Sequence, residues 1–340
     1  MVTISDVAAR AGVGAGTVSR VLNDSPRVSD STRQRVLAAI DVLDYRPNPL
    51  ARALSRGRAH TFGVVVPFFP QPSAVERLRG VVETLGGSRY DLVLFNVETT
   101  VERDQHFASL LRRDRADGLL VMSMPPPAAA VTSLLDHGVP VVLVDAIADG
   151  IPCVVTDDVE GGCLATRHLV ALGHQRIGFI GDDPDNPFGF SSSAAREQGY
   201  RTTMDEAGLE VDERLVRHGP HDRAVGRHLA EGMLALRNPP TAVFAASDIL
   251  AVGVLEAIRT SGLRVPEDIS VIGFDDIDVS SYIGLTTVHQ PLVESGRLGA
   301  RLLLEALSGA GAPAAARNEL PLELVLRSTT APPPRRRGRQ

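Results

Sequence analysis

Three short apolar stripes in the first 45 residues constrain most strongly what this chain can fold into. Their apolar residues recur at helical spacing, and stripes this short can be buried only against one another. The stripes are Ile4, Val7, Ala8 and Ala11; Val18, Val21 and Leu22; and Val36, Ile40 and Leu43. Thr3 and Asp6 have the spacing of a capping box, and Ser29 and Asp30 are candidate caps for the third helix. We therefore predict a three-helix domain over residues 1–45.

A glycine-rich turn separates the first two predicted helices. Gly12, Gly14 and Gly16 lie between the two stripes, and two short helices joined by a tight turn have the layout of a helix-turn-helix. The same spacing could belong to a phosphate-binding loop, but no strand precedes it and a polar helix follows. The segment therefore predicts a DNA-binding domain, because the second helix of this motif lies in the major groove.

Residues 46–58 change character. Pro47 ends the preceding helix, Asn48 can cap a new one, and Pro49 suits its first position, where a missing N–H costs nothing. The helical run that ends at Leu54 makes barely two turns, and a helix this short is marginal alone. We predict a hinge helix here that forms only when something packs on it.

From residue 61 onward, short apolar runs alternate with helical stretches. The runs are Phe62–Val66, Leu92–Phe95, Gly118–Val121, Val139–Val144, Ile177–Ile180, Ala242–Ala245 and Ser270–Phe274. Runs that are apolar on both faces and separated by helices indicate parallel sheets covered on both sides. Their two series predict an α/β body over 59–330 with two Rossmann-like lobes. We place the lobe crossings near 157–161, 289–292 and 315–320, and we expect the tail, 331–340, to be disordered.

Composition and charge narrow the class of protein. The chain has no lysine, which excludes a P-loop lysine, a Schiff-base lysine and a lysine general base. Its net charge is −6, yet residues 1–60 carry nine arginines against five acidic residues, as suits a protein that touches phosphates at one end only.

Cys153 and Cys163 lack metal or redox spacing, so we expect buried free thiols, no metal and no cofactor. No apolar run approaches a membrane span and no leader peptide opens the chain, so we expect a cytoplasmic protein.

Seven motifs stand in a fixed order along the chain. They are Ser5–Ala8, Thr17–Asn23, Tyr45–Asn48, Leu172–Ile177, Ser247–Gly253, Val265–Asp276 and Thr286–Pro291. Each is weak alone, but together, from about residue 2 to residue 328, they resemble the lactose-repressor (LacI/GalR) family of bacterial transcriptional regulators.

The resemblance implies a homodimeric DNA-binding regulator with a periplasmic-binding-protein-like body. A small effector would bind between the lobes and change the affinity for a palindromic operator. We expect a repressor with a carbohydrate effector, and no leucine heptad follows residue 328 to build a larger oligomer. Induction and corepression stay open, because they depend on which lobe arrangement the ligand favours.

By the same resemblance, residues of the predicted three-helix domain and of the predicted hinge helix should contact DNA. They are Thr3, Ser5, Ala15, Gly16, Thr17, Ser19, Arg20, Asn23, Asn48, Ala51 and Leu54. Arg20 is the one side chain of the second helix able to grip guanine bidentately, although it could instead contact a phosphate. Leu54 matches the family's leucine that enters the minor groove and unstacks a base step; alternatively, it only caps a linker helix on the body.

Two glycines depart from the family pattern. Gly14 stands where a serine cap is usual, and glycine caps nearly as well. Gly16 inside the helix costs about 1 kcal/mol relative to alanine. Neither Gly16 nor Ala15 carries a hydrogen-bonding side chain, so direct readout should rest mainly on Arg20 and Thr17, with groove shape supplying much of the rest.

The resemblance also marks effector residues where strands end at the cleft. They are Phe68, Phe69, Asp145, Ser192, Arg196, His221, Ser247, Asp248, Phe274, Asp275 and Gln290. Carboxylates with one arginine and an aromatic ring suit a sugar, whose hydroxyls need fixed partners and whose ring has an apolar face. Asp248 and Asp276 could instead be structural, and Phe69 and Phe274 could belong to the core. An arginine and an aspartate could also hold a purine or an amino acid.

Other interpretations compete with this one. An enzyme could use Asp275 and Asp276 as a carboxylate pair, but no nucleophile motif, metal spacing or cofactor loop supports catalysis, so we expect no enzyme. A free sugar receptor would need an export signal, which this sequence does not show. A regulator that responds in the opposite sense also stays compatible with the sequence: its ligand could be a corepressor, or the protein could activate transcription.

Overall fold

The computed structural model describes residues 2–22, 25–45, 60–110, 115–309 and 315–334. The chain divides into two units, Met1–Ala59 and His60–Gln340, which we call the head and the body. The predicted hinge helix over 46–58 lies outside the described residues, as does the tail beyond residue 334.

The head consists of three helices, as predicted. They are α1 (Ile4–Ala11), α2 (Ala15–Leu22) and α3 (Asp30–Leu43). Their apolar stripes meet in one core, in which Val7, Val18 and Val36 are buried. The predicted capping box is present: the Thr3 hydroxyl accepts a hydrogen bond from the Asp6 amide, and the Asp6 carboxylate accepts one from the Thr3 amide at 2.8 Å.

Gly12 makes the turn between α1 and α2. It lies in the left-handed region at φ 64°, where a side chain would be strained, so glycine ends the helix here. At Gly16, by contrast, an added Cβ would meet nothing within 4 Å. Ser29 occupies the N-cap position of α3 as expected, but its hydroxyl donates to Thr32 at 3.0 Å and accepts no backbone hydrogen bond.

The body contains two six-stranded sheets, which confirms the predicted α/β class. The first sheet comprises β1 (Thr61–Pro67), β2 (Asp91–Val97), β3 (Gly118–Met122), β4 (Val141–Val144), β5 (Cys153–Val155) and β11 (Arg317–Glu319). The second comprises β6 (Ile177–Asp182), β7 (Val216–Gly219), β8 (Ala242–Ala245), β9 (Ser270–Asp275), β10 (Thr286–His289) and β12 (Glu323–Val325). The strand orders are β11-β5-β4-β3-β1-β2 and β12-β10-β9-β8-β6-β7, and β10 with β12 is the antiparallel pair among the described strands.

Helices cover the sheets and bury both faces of the central strands. They are α4 (Pro72–Leu85), α5 (Thr100–Leu110), α6 (Ala128–Asp136), α7 (Asp158–Ala171), α8 (Ser192–Glu206), α9 (Arg223–Leu234), α10 (Asp248–Thr260), α11 (Asp278–Tyr282) and α12 (Leu292–Leu307). Successive β1 residues face opposite apolar clusters, as Val64 and Val65 do. This burial on both faces explains why the sequence shows continuous apolar runs without alternation.

The described chain passes between the sheets three times. Strand β5 is followed by α7, which packs on the second sheet, and β10 is followed by α12, which packs on the first. Strand β11 leads directly into β12. The connecting residues are 156–157, 290–291 and 320–322. The third crossing, expected near 315–320, comes after Glu319 because β11 still pairs with β5.

Five of the described strands were not predicted from the sequence: β5, β7, β10, β11 and β12. Three of them (β7, β11 and β12) lie at sheet edges, where polar residues such as Arg217, Arg317 and Glu323 are tolerated and no apolar run marks the strand. Strand β5 has three residues, too few to give a pattern. The run predicted from Val139 begins as a strand at Val141, because Pro140 has no N–H to donate to a ladder.

The ordered chain extends past the boundary expected for the tail. The carbonyl oxygen of Ala331, the first residue assigned to the disordered segment, lies 2.8 Å from His174 Nε2 and accepts from the Ser270 hydroxyl at 3.0 Å. Residue 331 is therefore bonded to the start of β9 and does not belong to a free tail.

Several expectations from composition concern the described residues. Cys153 and Cys163 are buried free thiols, as expected. No group of three His, Cys, Asp or Glu side chains in the described ranges is arranged to hold a metal ion. Of the helices that the structure describes, none has the length and apolar character needed to traverse a bilayer.

Gly12→Ala and Gly16→Ala should change the stability of the head in opposite directions. The first places a side chain in the left-handed region and should cost about 1–2 kcal/mol. The second replaces a helical glycine that has open space around it and should gain about 1 kcal/mol. Hydrogen exchange of the α1 and α2 amides in the full chain measures both changes, and equal protection in the two variants would contradict this assignment of the turn.

Candidate functional site

A cavity of about 460 Å³ lies between the two sheets of the body, where their strands end. Its wall includes Pro67 at the end of β1, Asp145 just after β4, Asp182 at the end of β6 and Asp275 at the end of β9. The carboxyl edge of parallel strands is the usual ligand position in such sheets, because loops and helix N-termini converge there. The cavity is therefore the candidate effector site.

Seven of the predicted effector residues line this cavity. They are Phe68, Asp145, Ser192, Arg196, His221, Asp275 and Gln290. They come from both lobes, and the Ser192 hydroxyl of α8 donates to Asp145 across the cleft at 3.4 Å. The structure thus brings together residues that lie far apart in sequence.

Arg196 is the most heavily bonded of these side chains. It is 5 % exposed, and its Nε donates to Asp158 at 2.8 Å while one terminal nitrogen donates to the Ala246 carbonyl at 2.7 Å. Asp275 lies 3.7 Å from the same terminal nitrogen. Burial opposes its charge, but the neighbouring carboxylates outweigh burial and raise the pKa of Arg196. Arg196 therefore stays charged in the cavity wall.

The environments of Asp275 and His221 shift the pKa values of both side chains. Burial raises the pKa of Asp275 to about 6, although Arg196 and Arg77 oppose the shift. His221 Nδ1 lies 3.0 Å from the Asp182 carboxylate. Burial lowers the pKa of His221, but the Asp182 hydrogen bond and charge outweigh it, so the net shift is upward.

Strained backbone is concentrated at this cavity. Among the described non-glycine residues with positive φ, four line the wall: Phe68 at 50°, Ser123 at 58°, Asp145 at 59° and Asp275 at 113°. Such conformations are costly and persist where the surrounding structure enforces them, which is typical of ligand sites.

Four predicted effector residues lie away from the cavity wall. Phe274 is fully buried beneath Arg196, whose guanidinium carbon lies 3.6 Å from the ring centroid. Ser247 caps α10, where its hydroxyl accepts from the Leu250 amide at 3.3 Å. Phe69 packs into the apolar cluster of the first lobe. These three side chains therefore support the fold or the site from behind the wall.

Asp248 is the fourth, and it is a structural residue. Its fully buried carboxylate accepts hydrogen bonds from the hydroxyls of Ser280 and Thr287, each at 2.6 Å, and from the Ile277 amide at 3.0 Å. It thereby ties α10 to α11 and β10. Burial raises the pKa of Asp248 to about 7 despite these donors.

Arg77 is a wall residue that the sequence reasoning missed. It is 2 % exposed on α4, and its terminal nitrogen lies 3.0 Å from Asp145 Oδ2 and donates to Gln290 Oε1 at 2.7 Å. A signal was available, because Arg77 falls on the same helical stripe as the buried Ala74 and Val81. A charged residue on an apolar stripe indicates a buried partner.

A cluster of phenylalanines was also missed. Phe188 and Phe190, from the loop before α8, line the cavity and stack on each other at a centroid distance of 5.4 Å. Phe68 contacts Phe188 edge to face at 5.0 Å. Phe188 is buried in a core cluster of the first lobe, although its loop comes from the second. The sequence signal was the pair of phenylalanines one residue apart.

The predicted DNA-contacting residues of the head lie on α1, α2 and the turns beside them. Ala15, Gly16 and Arg20 are exposed on α2, and Thr17 and Ser19 are half-buried. Thr3 and Ser5 are exposed at the start of α1, and the Thr3 hydroxyl also donates to the Asp6 carboxylate at 2.8 Å within the capping box. The remaining candidates, Asn23, Asn48, Ala51 and Leu54, lie outside the described residues. The DNA contacts of the whole set stay predictions.

Comparisons with known proteins agree on one family. Residues 3–48 match the bacterial regulatory proteins of the lacI family, and residues 166–330 match the periplasmic binding protein-like domain. The HTH-type transcriptional repressor PurR of Erwinia tasmaniensis is 35 % identical over 314 residues, which cover 91 % of each chain. A transcriptional regulator CelR–cellobiose complex is similar at 33 % identity and a TM-score of 0.71, covering 97 % of this chain and 100 % of that one.

A lac repressor dimer bound to operator and the anti-inducer ONPF is also similar. Its TM-score is 0.80 at 29 % identity, covering 97 % of this chain and 99 % of the other. The chain therefore belongs to the lacI family of bacterial regulatory proteins. It is a DNA-binding transcriptional regulator with an effector-binding body, as the sequence motifs predicted.

Asp248→Asn should remove a specific pH dependence of stability. A carboxyl group whose folded pKa is raised stabilises the fold fully below its unfolded pKa, near 4, and loses that contribution as the pH rises through about 7. The free energy of unfolding of the wild type should therefore fall between about pH 4 and pH 7, and Asp248→Asn should flatten this slope. Urea unfolding across this range measures it, with the exposed Asp205→Asn as control. A slope unchanged in Asp248→Asn would contradict the raised pKa of this buried carboxyl.

Proposed function

We propose that the chain is a repressor that binds a palindromic operator as a homodimer, and that a small carbohydrate in the cavity changes its hold on DNA. The relatives and the exposed face of α2 support the operator as target. The arrangement of charges in the cavity is the main observation that favours a carbohydrate as the effector.

Both arginines in the described cavity wall are already committed to protein carboxylates. Arg196 is paired with Asp158 and Asp275, and Arg77 is paired with Asp145. The wall contains five aspartates against two arginines. A phosphate or carboxylate ligand would meet a negative wall whose arginines are occupied, so an anionic effector is disfavoured.

A neutral polyhydroxylated ligand fits this wall better. Its hydroxyls can donate to carboxylate oxygens such as those of Asp145 and Asp275. Its apolar face can lie on the phenylalanine cluster of Phe68, Phe188 and Phe190. One similar structure is described as a complex with cellobiose, which supports the carbohydrate class for this chain.

A purine corepressor is the second candidate. Its support is that several relatives are named HTH-type transcriptional repressor PurR, and that stacked phenylalanine rings can also receive a flat heterocycle. Carbohydrate is the stronger proposal because the wall is rich in carboxylates that accept hydrogen bonds from hydroxyls.

A thermal-shift screen of neutral sugars, sugar phosphates and nucleosides tests the effector class. A neutral sugar should raise the melting temperature of the full chain, because a ligand at 100 times its Kd adds about 2.7 kcal/mol of stability. Its phosphorylated form, for example D-glucose 6-phosphate beside D-glucose, should give a smaller shift or none. Shifts produced by nucleosides alone, or larger shifts with the phosphates, would contradict the proposal.

Arg20→Ala tests the predicted reading of DNA by α2. If Arg20 grips guanine bidentately, the variant should lose about 1–3 kcal/mol of operator affinity and relax the preference at one base pair. Binding selection on random duplexes at fixed salt measures both effects. Arg10→Ala, on α1, removes the same charge and should leave the base preferences unchanged. A selected sequence that is identical for wild type and Arg20→Ala would contradict direct readout by Arg20.

A further inference from the structure

Arg77 occupies a position where an arginine is costly. It is 2 % exposed and lies on the buried, apolar side of α4. Its Nε has no hydrogen-bond partner among the described residues. Arg79, two residues later on the same helix, is instead an exposed side chain with pairings to Glu76 and Glu83. A buried arginine is retained only where its charge is matched, so the partners of Arg77 indicate its role.

The first partner of Arg77 is the cavity carboxylate of Asp145. One oxygen, Oδ2, lies 3.0 Å from the Arg77 terminal nitrogen and accepts the Ser123 hydroxyl at 2.9 Å. The other oxygen, Oδ1, has the long contact of 3.4 Å from the Ser192 hydroxyl. The carboxylate therefore meets a ligand with its charge already balanced and with one oxygen left to accept a hydrogen bond.

The second partner of Arg77 is the side chain of Gln290, on a crossing between the lobes. The amide oxygen of Gln290 accepts from Arg77 at 2.7 Å, so its NH₂ group is oriented toward Asp275, to which it donates at 3.0 Å. Arg77 thus fixes the orientation of the amide that bridges to the second lobe.

We propose that Arg77 is a positioning residue that sets the charge preference of the cavity. By balancing Asp145 and orienting Gln290, it lets the first-lobe wall accept a neutral hydroxyl and weakens the attraction of this wall for an ammonium group. An ammonium group at Asp145 would lie close to the Arg77 guanidinium and be repelled by it. This role rests on the proposed carbohydrate effector, but part of its test needs no effector.

Calorimetric titration of the full chain with matched sugars tests the preference directly. The probes are D-glucose with D-glucosamine, D-galactose with D-galactosamine, and D-mannose with D-mannosamine. Arg77→Met should shift the ratio of neutral-sugar affinity to amino-sugar affinity toward the amino sugar by about tenfold relative to the wild type, because Asp145 without Arg77 attracts the ammonium group more strongly. Arg77→Lys keeps the charge and should keep the wild-type ratio, and Arg79→Met should match the wild type.

A purely structural Arg77 gives a different result in the same titrations. Arg77→Met would then weaken the neutral and amino sugars by the same factor, or change neither, and the proposal would be overturned. If none of the six sugars binds the wild type, the role of Arg77 is decided by a measurement without ligand.

That measurement is a double-mutant cycle on the melting temperature of the ligand-free chain, with the wild type, Arg77→Met, Asp145→Asn and the double variant at one pH. Arg77→Met leaves the Asp145 carboxylate, whose side chain is 14 % exposed, without the guanidinium that accompanies it, and Asp145→Asn removes that charge. Arg77→Met should therefore lower the melting temperature less in the Asp145→Asn background than in the wild type. Arg77 also acts on Asp158 and Asp275, but Arg77→Met removes that action in both backgrounds, so it cancels in the cycle.

The double variant decides this arm of the test. Asp145→Asn in the Arg77→Met background should restore part of the stability that Arg77→Met removes, because the carboxylate left without its partner is gone. A stability loss from Arg77→Met that is equal in both backgrounds would overturn charge balancing of Asp145 by Arg77, whatever the effector is.

Discussion

A buried pair of opposite charges in each lobe of the body forms part of the cavity wall, and the proposed effector site depends on these two pairs. Arg196 in the second lobe and Arg77 in the first are both removed from water, which is costly for a guanidinium unless carboxylates accompany it. Asp275 accompanies Arg196, and Asp145 accompanies Arg77. Gln290, on a lobe crossing, joins the two groups. A ligand that engages either pair therefore acts on the connection between the lobes.

The fold explains why these charges can be placed so accurately. Parallel strands buried on both faces form a rigid base, and the residues that follow them reach the cavity from fixed positions. Asp145 and Asp275 adopt positive φ at these strand ends, which turns their carboxylates into the cleft. Packing of the surrounding strands and helices enforces these backbone conformations and so fixes where the two carboxylates lie.

Sequence reasoning succeeded where a repeating pattern or an ordered set of motifs carried the information. The apolar stripes of the head and the runs apolar on both faces predicted three helices and seven strands, while short edge strands gave no pattern. Position at a strand end did not reveal which way a side chain points: Asp248 follows β8 much as Asp145 follows β4, yet it turns into the core. Arg77 and Phe188 were missed because their partners come from distant parts of the chain.

Binding of the effector in the cavity and binding of operator DNA by the head should be reciprocally coupled, and paired affinity measurements show whether they are. The Kd of the effector is measured with and without operator, and the Kd of the operator is measured with and without effector, at one salt concentration. The two ratios should be equal and differ from one, by about 5- to 150-fold for typical allosteric coupling. An effector that binds equally well with and without operator, and leaves operator affinity unchanged, would rule out this coupling.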